Sequence, residues 1–276
     1  MTDMPKSGEL AADARQFVRD NKKFFWDYLK PLLLPFIVMD AIAHVGATIS
    51  PAFTIASLVT AYISACFVLA WHRAVLLGPQ SNHAVNPFLL KKGEGGFILI
   101  FFLVAITPAA VMMCGLLPVI GAALTKNMVL TVVASLVTIV AFVYAIILGM
   151  SFAFVLPARS VGVKLSFREA RKIARGLIWK LFWTGIRVSF GPAFLIGLWY
   201  GIMAVVVISM PGMSVMKTDF AGKNQEELTM PGAAILYLVG GLPLIYFHFM
   251  IVARNITVLS KLYQWSVQNR APEQAK

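Results

Sequence analysis

The first long apolar run of the sequence contains a carboxylate and an imidazole at helical spacing. Asp40 is the one carboxylate deep within such a run, and His44 follows four residues later. Residues at i and i+4 share one face of a helix, so the two groups would be neighbours. An ionisable residue inside a membrane segment is a candidate functional site, and this pair could relay protons or bind a cation. The alternative is a structural role, with a protonated Asp40 hydrogen-bonded to His44 or to a neighbouring helix.

Two other histidines lie near the ends of apolar runs. His248 could complete a polar cluster with Asp40 and His44, or it could be a core histidine with satisfied hydrogen bonds. We expect His72, between Trp71 and Arg73, to be solvated at a membrane interface. Two ligands at i and i+4 do not make a zinc site, which needs three or four, so the sequence predicts no metal.

Two segments, Leu10–Tyr28 and Ser166–Leu181, have apolar residues at helical spacing and basic residues largely on other faces. The second starts with a capping box, formed by Ser166 and Glu169. Basic amphipathic helices lie in the headgroup plane and favour anionic lipid. The alternative is that their charge only sets the topology. The candidate lipid contacts are Arg15, Arg19, Lys22, Lys23, Arg168, Arg171, Lys172 and Arg175.

Searches for catalytic and cofactor motifs are negative. The sequence has no P-loop, H-E-x-x-H or G-x-S-x-G pattern, so we expect no cofactor. We predict a flexible loop at Gly93–Gly96 before the third apolar run, since no lysine follows its glycines as in a P-loop. Cys66 and Cys114 both lie in apolar runs, so we expect two small core residues and no disulfide.

The composition is that of a membrane protein. Of the 276 residues, 59% are hydrophobic and 13% are charged, and the mean hydropathy is +0.79. Soluble domains have about 25% charged residues, so a soluble globular domain and a disordered chain are both excluded. The net charge of +12 does not indicate nucleic-acid binding, because the basic residues lie in loops between apolar runs.

The apolar runs predict an all-α, polytopic bundle of six transmembrane helices in three hairpins, with two interfacial amphipathic helices. A membrane-spanning helix needs about 20 apolar residues. We divide the chain into an N-terminal amphipathic helix (1–30), a transmembrane domain (31–262, with an interfacial helix at 166–181) and a C-terminal tail (263–276). The predicted spans are Pro31–Ile49, Phe53–Leu77, Phe97–Ala123, Met128–Leu156, Phe182–Ser209 and Ala233–Ala253.

The distribution of charge predicts the orientation. All but three of the 24 Lys and Arg residues lie on one side of the predicted spans, and the exceptions are Lys126, Lys217 and Lys223. By the positive-inside rule the basic side is cytoplasmic, so we expect both termini in the cytoplasm. Five tryptophans near the same boundary suggest an interfacial belt, namely Trp26, Trp71, Trp179, Trp183 and Trp265.

One stretch carries a family resemblance. Phe154-Val155-Leu156-Pro157-Ala158 ends a span and is followed by Val161-Gly162-Val163, Ser166-x-x-Glu169-Ala170 and Arg175-Gly176-x-x-Trp179-Lys180. This order resembles the six-span bacterial YciC-like membrane proteins and the membrane domain of glycerophosphodiester phosphodiesterases. The resemblance implies a bacterial inner-membrane protein of poorly defined role. The sequence shows no soluble catalytic domain like that of the phosphodiesterases, so no catalytic residue carries over.

Three functions are compatible with these features. The leading hypothesis is a non-enzymatic inner-membrane protein that organises or senses anionic lipid, or that scaffolds a membrane protein partner or a second copy of itself. The second is a small transporter or channel coupled through Asp40 and His44. The third is a membrane-embedded enzyme acting on lipid, which requires at least two polar groups converging at one depth.

Overall fold

The computed structural model describes residues 4–47, 50–79, 85–125, 127–209 and 230–270. Within these ranges the chain forms α-helices, one short 3-10 helix at Pro51–Ile55 and no β-strand. Lys217, Lys223 and Lys126 of the less basic side lie outside the described residues. The α-helices are α1 (Ser7–Asp20), α2 (Lys22–Ala47), α3 (Ala56–Leu77), α4 (Glu94–Thr125), α5 (Met128–Ala153), α6 (Val155–Ser160), α7 (Phe167–Ala174), α8 (Ile178–Ser209) and α9 (Met230–Arg270).

Five segments of the described chain are long and apolar enough to cross a membrane, which confirms the membrane class. They are Ala56–Leu77, Glu94–Ala122, Met128–Ser160, Ile178–Ile202 and Pro243–Asn269. The predicted first span, Pro31–Ile49, corresponds to the second part of α2, which is not among these five, and positions 48–49 lie outside the described residues. Helix α9 includes the predicted span Ala233–Ala253 and continues to Arg270, into the predicted tail.

Consecutive helices pack as pairs: α2 with α3, α4 with α5, and α8 with α9. Helices α3 and α9 are central, since each also contacts members of other pairs. In α3, 56% of the apolar window is buried in the protein, against 17% for the windows in α4 and α5. The α4–α5 hairpin therefore presents most of its apolar surface outward. In water so large an apolar surface would promote association, whereas lipid solvates it.

Close backbone packing holds this hairpin together. A Cβ atom placed on Gly115 of α4 would lie 2.4 Å from the Cβ of Ala141 of α5. The hydroxyl of Thr138 donates to the carbonyl oxygen of Gly115 across the same contact, at 2.6 Å. Small residues that let two helices approach, together with an interhelical hydrogen bond, are typical of helix pairs in membranes.

Both predicted amphipathic helices are interrupted, contrary to the sequence prediction. The segment Leu10–Tyr28 divides at Asn21, which caps the end of α1. The segment Ser166–Leu181 ends its first helix at Ala174, because Gly176 has a φ of +86° and turns the chain before α8 begins. That left-handed conformation suits glycine and is rare for other residues.

The core next to α3 is rich in aromatic side chains. Trp71 is fully buried, and its ring stacks on Phe67 with the centroids 5.9 Å apart. The placement of Trp71 in an interfacial belt is therefore wrong, because packing by α2 and α9 removes it from the surface. Cys66 is buried as expected, but Cys114 is exposed on α4, so the prediction of a second core cysteine is wrong.

We call the part of the bundle where α3 and α6 end and α4 and α8 begin the basic end. There α1 and α7 pack on the bundle with α6, α8 and α9 around a second apolar core.

Candidate functional site

The predicted intramembrane polar site is partly assembled. Asp40 on α2 interacts electrostatically with His248 on α9, and the His248 ring lies over Phe36 with the ring centroids 6.4 Å apart. His248 is exposed on the surface of the chain, so it is not a core histidine. The backbone of His44 belongs to α2, but its side chain lies outside the described residues. The structure thus brings a carboxylate and an imidazole from different helices together.

All eight predicted lipid-contact side chains are exposed. They lie on α1, at the start of α2, and on α7 with the residue that follows it: Arg15, Arg19, Lys22, Lys23, Arg168, Arg171, Lys172 and Arg175. We call the set on and beside α7, with Lys164, the α7 basic surface: Lys164, Arg168, Arg171, Lys172 and Arg175.

The apolar faces of α1 and α7 pack on the protein. Leu10 and Ala14 of α1 and Ala170 and Ala174 of α7 are all buried in the second apolar core. The small side chains let α7 lie close to the bundle, and Phe167, the first residue of α7, contacts Phe152 of α5, with ring centroids 4.8 Å apart. Protein, and not the headgroup region, therefore covers the apolar faces of α1 and α7, which differs from the sequence expectation. Only the charged faces of these two helices remain available to lipid.

The capping box at the start of α7 is present as predicted. The Ser166 backbone N–H donates to the Glu169 carboxylate at 2.8 Å, and the Glu169 N–H donates to the Ser166 hydroxyl oxygen at 3.3 Å. The Ser166 hydroxyl also donates to the same carboxylate at 2.6 Å. These bonds from the Ser166 hydroxyl and backbone hold the pKa of Glu169 below its usual value. Glu169, the one acidic residue of α7, is therefore committed to the cap.

Two exposed tryptophans follow the α7 basic surface along the chain. Trp179 is 64% exposed and Trp183 is 54% exposed, both in the first two turns of α8. Tryptophan is enriched where a membrane helix passes through the headgroup region. Only the turn at Gly176 therefore separates Arg175 from the start of α8, whose exposed tryptophans are typical of a membrane boundary.

A buried ion pair joins three elements at the basic end. Arg73 of α3 donates to Glu94 at the start of α4, with Nη1 and Oε1 2.5 Å apart, and Glu94 is only 1% exposed. The Nε of Arg73 donates to the carbonyl oxygen of Ser160 in α6 at 3.1 Å, and the Lys91 N–H donates to the second Glu94 oxygen at 2.8 Å. The prediction of a flexible loop at Gly93–Gly96 is wrong, since α4 begins there at an anchored residue.

His72 is fully buried, so the expectation that it is solvated is wrong. Its Nδ1 lies 2.7 Å from the hydroxyl oxygen of Ser260 on α9. Its Nε2 is buried and has no hydrogen-bond partner. The sequence marks His72 only as a neighbour of Trp71 and Arg73, and the partner that removes it from solvent is 188 residues away.

His72 also lines a cavity of about 490 Å³ at the basic end. The walls come from α3, α5, α6, α8 and α9. The lining is mostly apolar, and its polar side chains are those of His72, Ser189 and Asn255. The amide of Asn255 donates to the Ser189 hydroxyl oxygen at 2.8 Å. Among the described lining residues, the Nε2 of His72 is the buried polar side-chain atom without a hydrogen-bond partner. No periodicity or motif in the sequence indicated this cavity.

In the part of the chain that the structure describes, no three His, Cys, Asp or Glu side chains come close enough to hold a metal ion.

Comparison with protein-family models, with curated proteins and with solved structures finds no match to this chain.

Proposed function

We propose that this chain is a non-enzymatic, multi-pass protein of a bacterial inner membrane that binds anionic lipid through the α7 basic surface. The observation that carries the proposal is the charge of that surface. Residues 164–175 include five basic side chains, all exposed, and one carboxylate, Glu169, which is committed to the helix cap. A cluster of this size beside a membrane boundary attracts acidic headgroups.

The N-terminal basic residues are a weaker candidate. Residues 9–30 contain five basic and four acidic side chains, so their charges largely cancel. One of these acids, Asp13, forms an ion pair of 2.6 Å with Lys261. We therefore assign the main headgroup contact to the α7 basic surface and a lesser one to Arg15, Arg19, Lys22 and Lys23.

The proposed topology has six spans, with the second part of α2 as the first and both termini in the cytoplasm. Charge asymmetry supports this orientation, and the pairing of α2 with α3 supports a first hairpin. The basic end then faces the cytoplasmic leaflet, where anionic lipids attract basic side chains. The resemblance to YciC-like proteins supports the bacterial inner membrane as the location.

Replacing Arg168, Arg171 and Arg175 together with glutamine should weaken binding of anionic phospholipid strongly. A basic residue near an anionic surface contributes roughly 1 kcal/mol, so the loss should be on the order of a hundredfold. The measurement is native mass spectrometry of the full chain titrated with phosphatidylglycerol in detergent, with phosphatidylcholine as the reference lipid.

The matched control is a variant in which glutamine replaces Arg15, Arg19 and Lys23. This variant loses the same number of positive charges, but from a region that also contains carboxylates. We expect less than a tenfold loss for this variant. Equal losses in the two variants would show a response to net charge alone, and an unchanged preference for phosphatidylglycerol in the α7 variant would disprove the proposal.

The second candidate function is a small transporter or channel coupled through Asp40. The observation that favours it is that Asp40 and His248, on two different helices, lie close enough to interact electrostatically, because ionisable groups within a membrane are typical of ion and proton pathways.

Under this second function, Asp40→Asn should abolish proton flux into proteoliposomes, because an amide cannot take up and release a proton. The assay is quenching of a pH-sensitive dye inside the vesicles, with circular dichroism to confirm folding. Val38→Asn, at an exposed site on the same helix, controls for an added amide. Flux equal to that of the wild type in Asp40→Asn would exclude this coupling.

A further inference from the structure

The cavity at the basic end is an open concavity whose volume and mostly apolar lining fit an apolar ligand. Its volume of about 490 Å³ lies within the range of roughly 300–1,000 Å³ typical of small-molecule sites. Apolar side chains from three different helices form much of the wall, including Met150, Phe182 and Leu259.

The cavity borders on the outer surface of the bundle. Ile186 of α8 lines it and is also exposed on the outside, and the neighbouring Trp183 is exposed as well. The outward surface of α8 in this span meets lipid in the proposed topology. The ligand nearest to this opening is therefore a lipid of the surrounding bilayer.

One of the side chains that line the cavity has a buried polar atom without a hydrogen-bond partner. The imidazole of His72 is held at Nδ1 by Ser260 and has no partner at Nε2. A buried polar atom without a partner is destabilising, and a ligand that supplies an oxygen removes this cost. If the Ser260 hydroxyl donates to Nδ1, then Nε2 carries the ring proton and can donate to a carbonyl oxygen.

The α7 basic surface lies close to the cavity along the chain. Arg175 is three residues before α8, and Leu181 in the first turn of α8 lines the cavity. Helix α7 also packs on α5, whose last turns carry the cavity residues Gly149, Met150 and Ala153. A headgroup at the α7 basic surface and an acyl chain in the cavity are thus compatible with a single lipid molecule.

We propose that this cavity binds one acyl chain of an anionic phospholipid, with the ester carbonyl accepting a hydrogen bond from Nε2 of His72. The inference rests on the proposed function for the position of the headgroup. The proposed function explains only the attraction of the headgroup to a charged surface. The further inference is that the acyl chain and the ester of the same lipid also bind at a specific site.

The test uses the full chain in detergent with phosphatidylglycerol that carries a diazirine on one acyl chain. After irradiation, labelled residues are located by peptide mass spectrometry. We expect labelling to concentrate on Met150, Phe182, Ile186 and Leu259, and excess unlabelled phosphatidylglycerol to suppress it. This competition in the wild-type protein needs no substitution and so does not depend on a variant folding.

Two variants test the site directly. Ala153→Phe places a ring in the cavity and should lower labelling of the cavity residues at least fivefold. His72→Leu removes the hydrogen bond to the ester and should lower it at least threefold. Val140→Phe, on the exposed face of the same helix as Ala153, adds a similar volume outside the cavity and should leave labelling unchanged.

The outcomes separate this inference from the proposed function. Labels spread over the outer surface of α4 and α5 would overturn the proposed acyl-chain site in the cavity. If the protein still preferred phosphatidylglycerol over phosphatidylcholine, that result would remain consistent with headgroup binding at the α7 basic surface. The same diazirine placed on phosphatidylcholine gives the comparison. Equal labelling of the cavity by the two probes would support the acyl-chain site and overturn the assignment of the headgroup to the α7 basic surface.

Discussion

Replacing Glu94 with alanine should lower the free energy of unfolding by about 3–5 kcal/mol, the usual cost of removing one member of a buried ion pair. Glu94 is 1% exposed and its partner Arg73 is 20% exposed, so neither group is well solvated. The substitution leaves the Arg73 guanidinium without its counter-charge and the Lys91 N–H without its acceptor. Unfolding in mixed micelles with increasing SDS, followed by tryptophan fluorescence, measures the effect.

The position of the ion pair explains why the loss should be large. Arg73 and Glu94 connect α3 with α4, and the bond from Arg73 to Ser160 adds α6. In Glu94→Ala these three elements lose a shared anchor at the basic end. Replacing both partners with apolar residues, Arg73→Met with Glu94→Leu, should recover part of the loss, since no buried charge is then left unpaired.

A surface ion pair provides the control. Asp13 pairs with Lys261 at 2.6 Å, but the Asp13 side chain is 63% exposed. Exposed pairs contribute about 0–1 kcal/mol, so Asp13→Ala should change stability by less than 1 kcal/mol. A Glu94→Ala variant as stable as Asp13→Ala would show that the buried pair does not anchor the bundle.

Replacing Trp71 with alanine should also destabilise the protein by about 3–5 kcal/mol, as when a large buried aromatic residue is removed and leaves a cavity. Trp71 is fully buried and contacts aromatic rings from α1, α2 and its own helix, including Phe17, Phe25 and Phe67. Its indole N–H donates to the Thr257 hydroxyl oxygen on α9 at 3.0 Å. The same unfolding assay measures the loss, followed by circular dichroism because a tryptophan is removed.

Graded substitutions separate the two contributions of this tryptophan. Trp71→Phe keeps part of the ring packing and loses the hydrogen bond to Thr257, so its loss should be smaller than that of Trp71→Ala. The control is Trp179→Ala, because Trp179 is 64% exposed and should cost little stability. If Trp71→Ala and Trp179→Ala proved equally stable, the aromatic cluster would not be part of the stabilising core.

Several features of the fold are predictable from local sequence. Continuous apolar runs predict membrane helices because only a helix satisfies its own backbone hydrogen bonds in lipid. Ser166 and Glu169 predict the start of α7 because both partners of the cap lie within one turn. The end of this helix is not predicted correctly: the sequence prediction extends it to Leu181, whereas the left-handed turn at Gly176 ends it early.

The candidate site was less predictable. The basic residues of α7 were identified because charge at helical spacing is visible in the sequence, and their exposure is as expected. The docking of α7 on the bundle was missed, because Ala170 and Ala174 are small residues whose burial depends on the shape of the surface they meet. The sequence offers a cluster of Asp40 with His248 as one alternative, but only the packing of α2 on α9 brings the two residues close enough to interact electrostatically.

The amino-acid sequence is enough to establish the all-α membrane class, the start of α7 and the accumulation of basic residues at one end of the predicted bundle. These depend on composition and on interactions between residues a few positions apart. The burial of Glu94 and His72, and the cavity beside His72, follow from the packing of the helices and not from local sequence. The reason is that burial depends on which helices meet, and the partner atoms that settle it, such as the hydroxyl of Ser260, are far away along the chain.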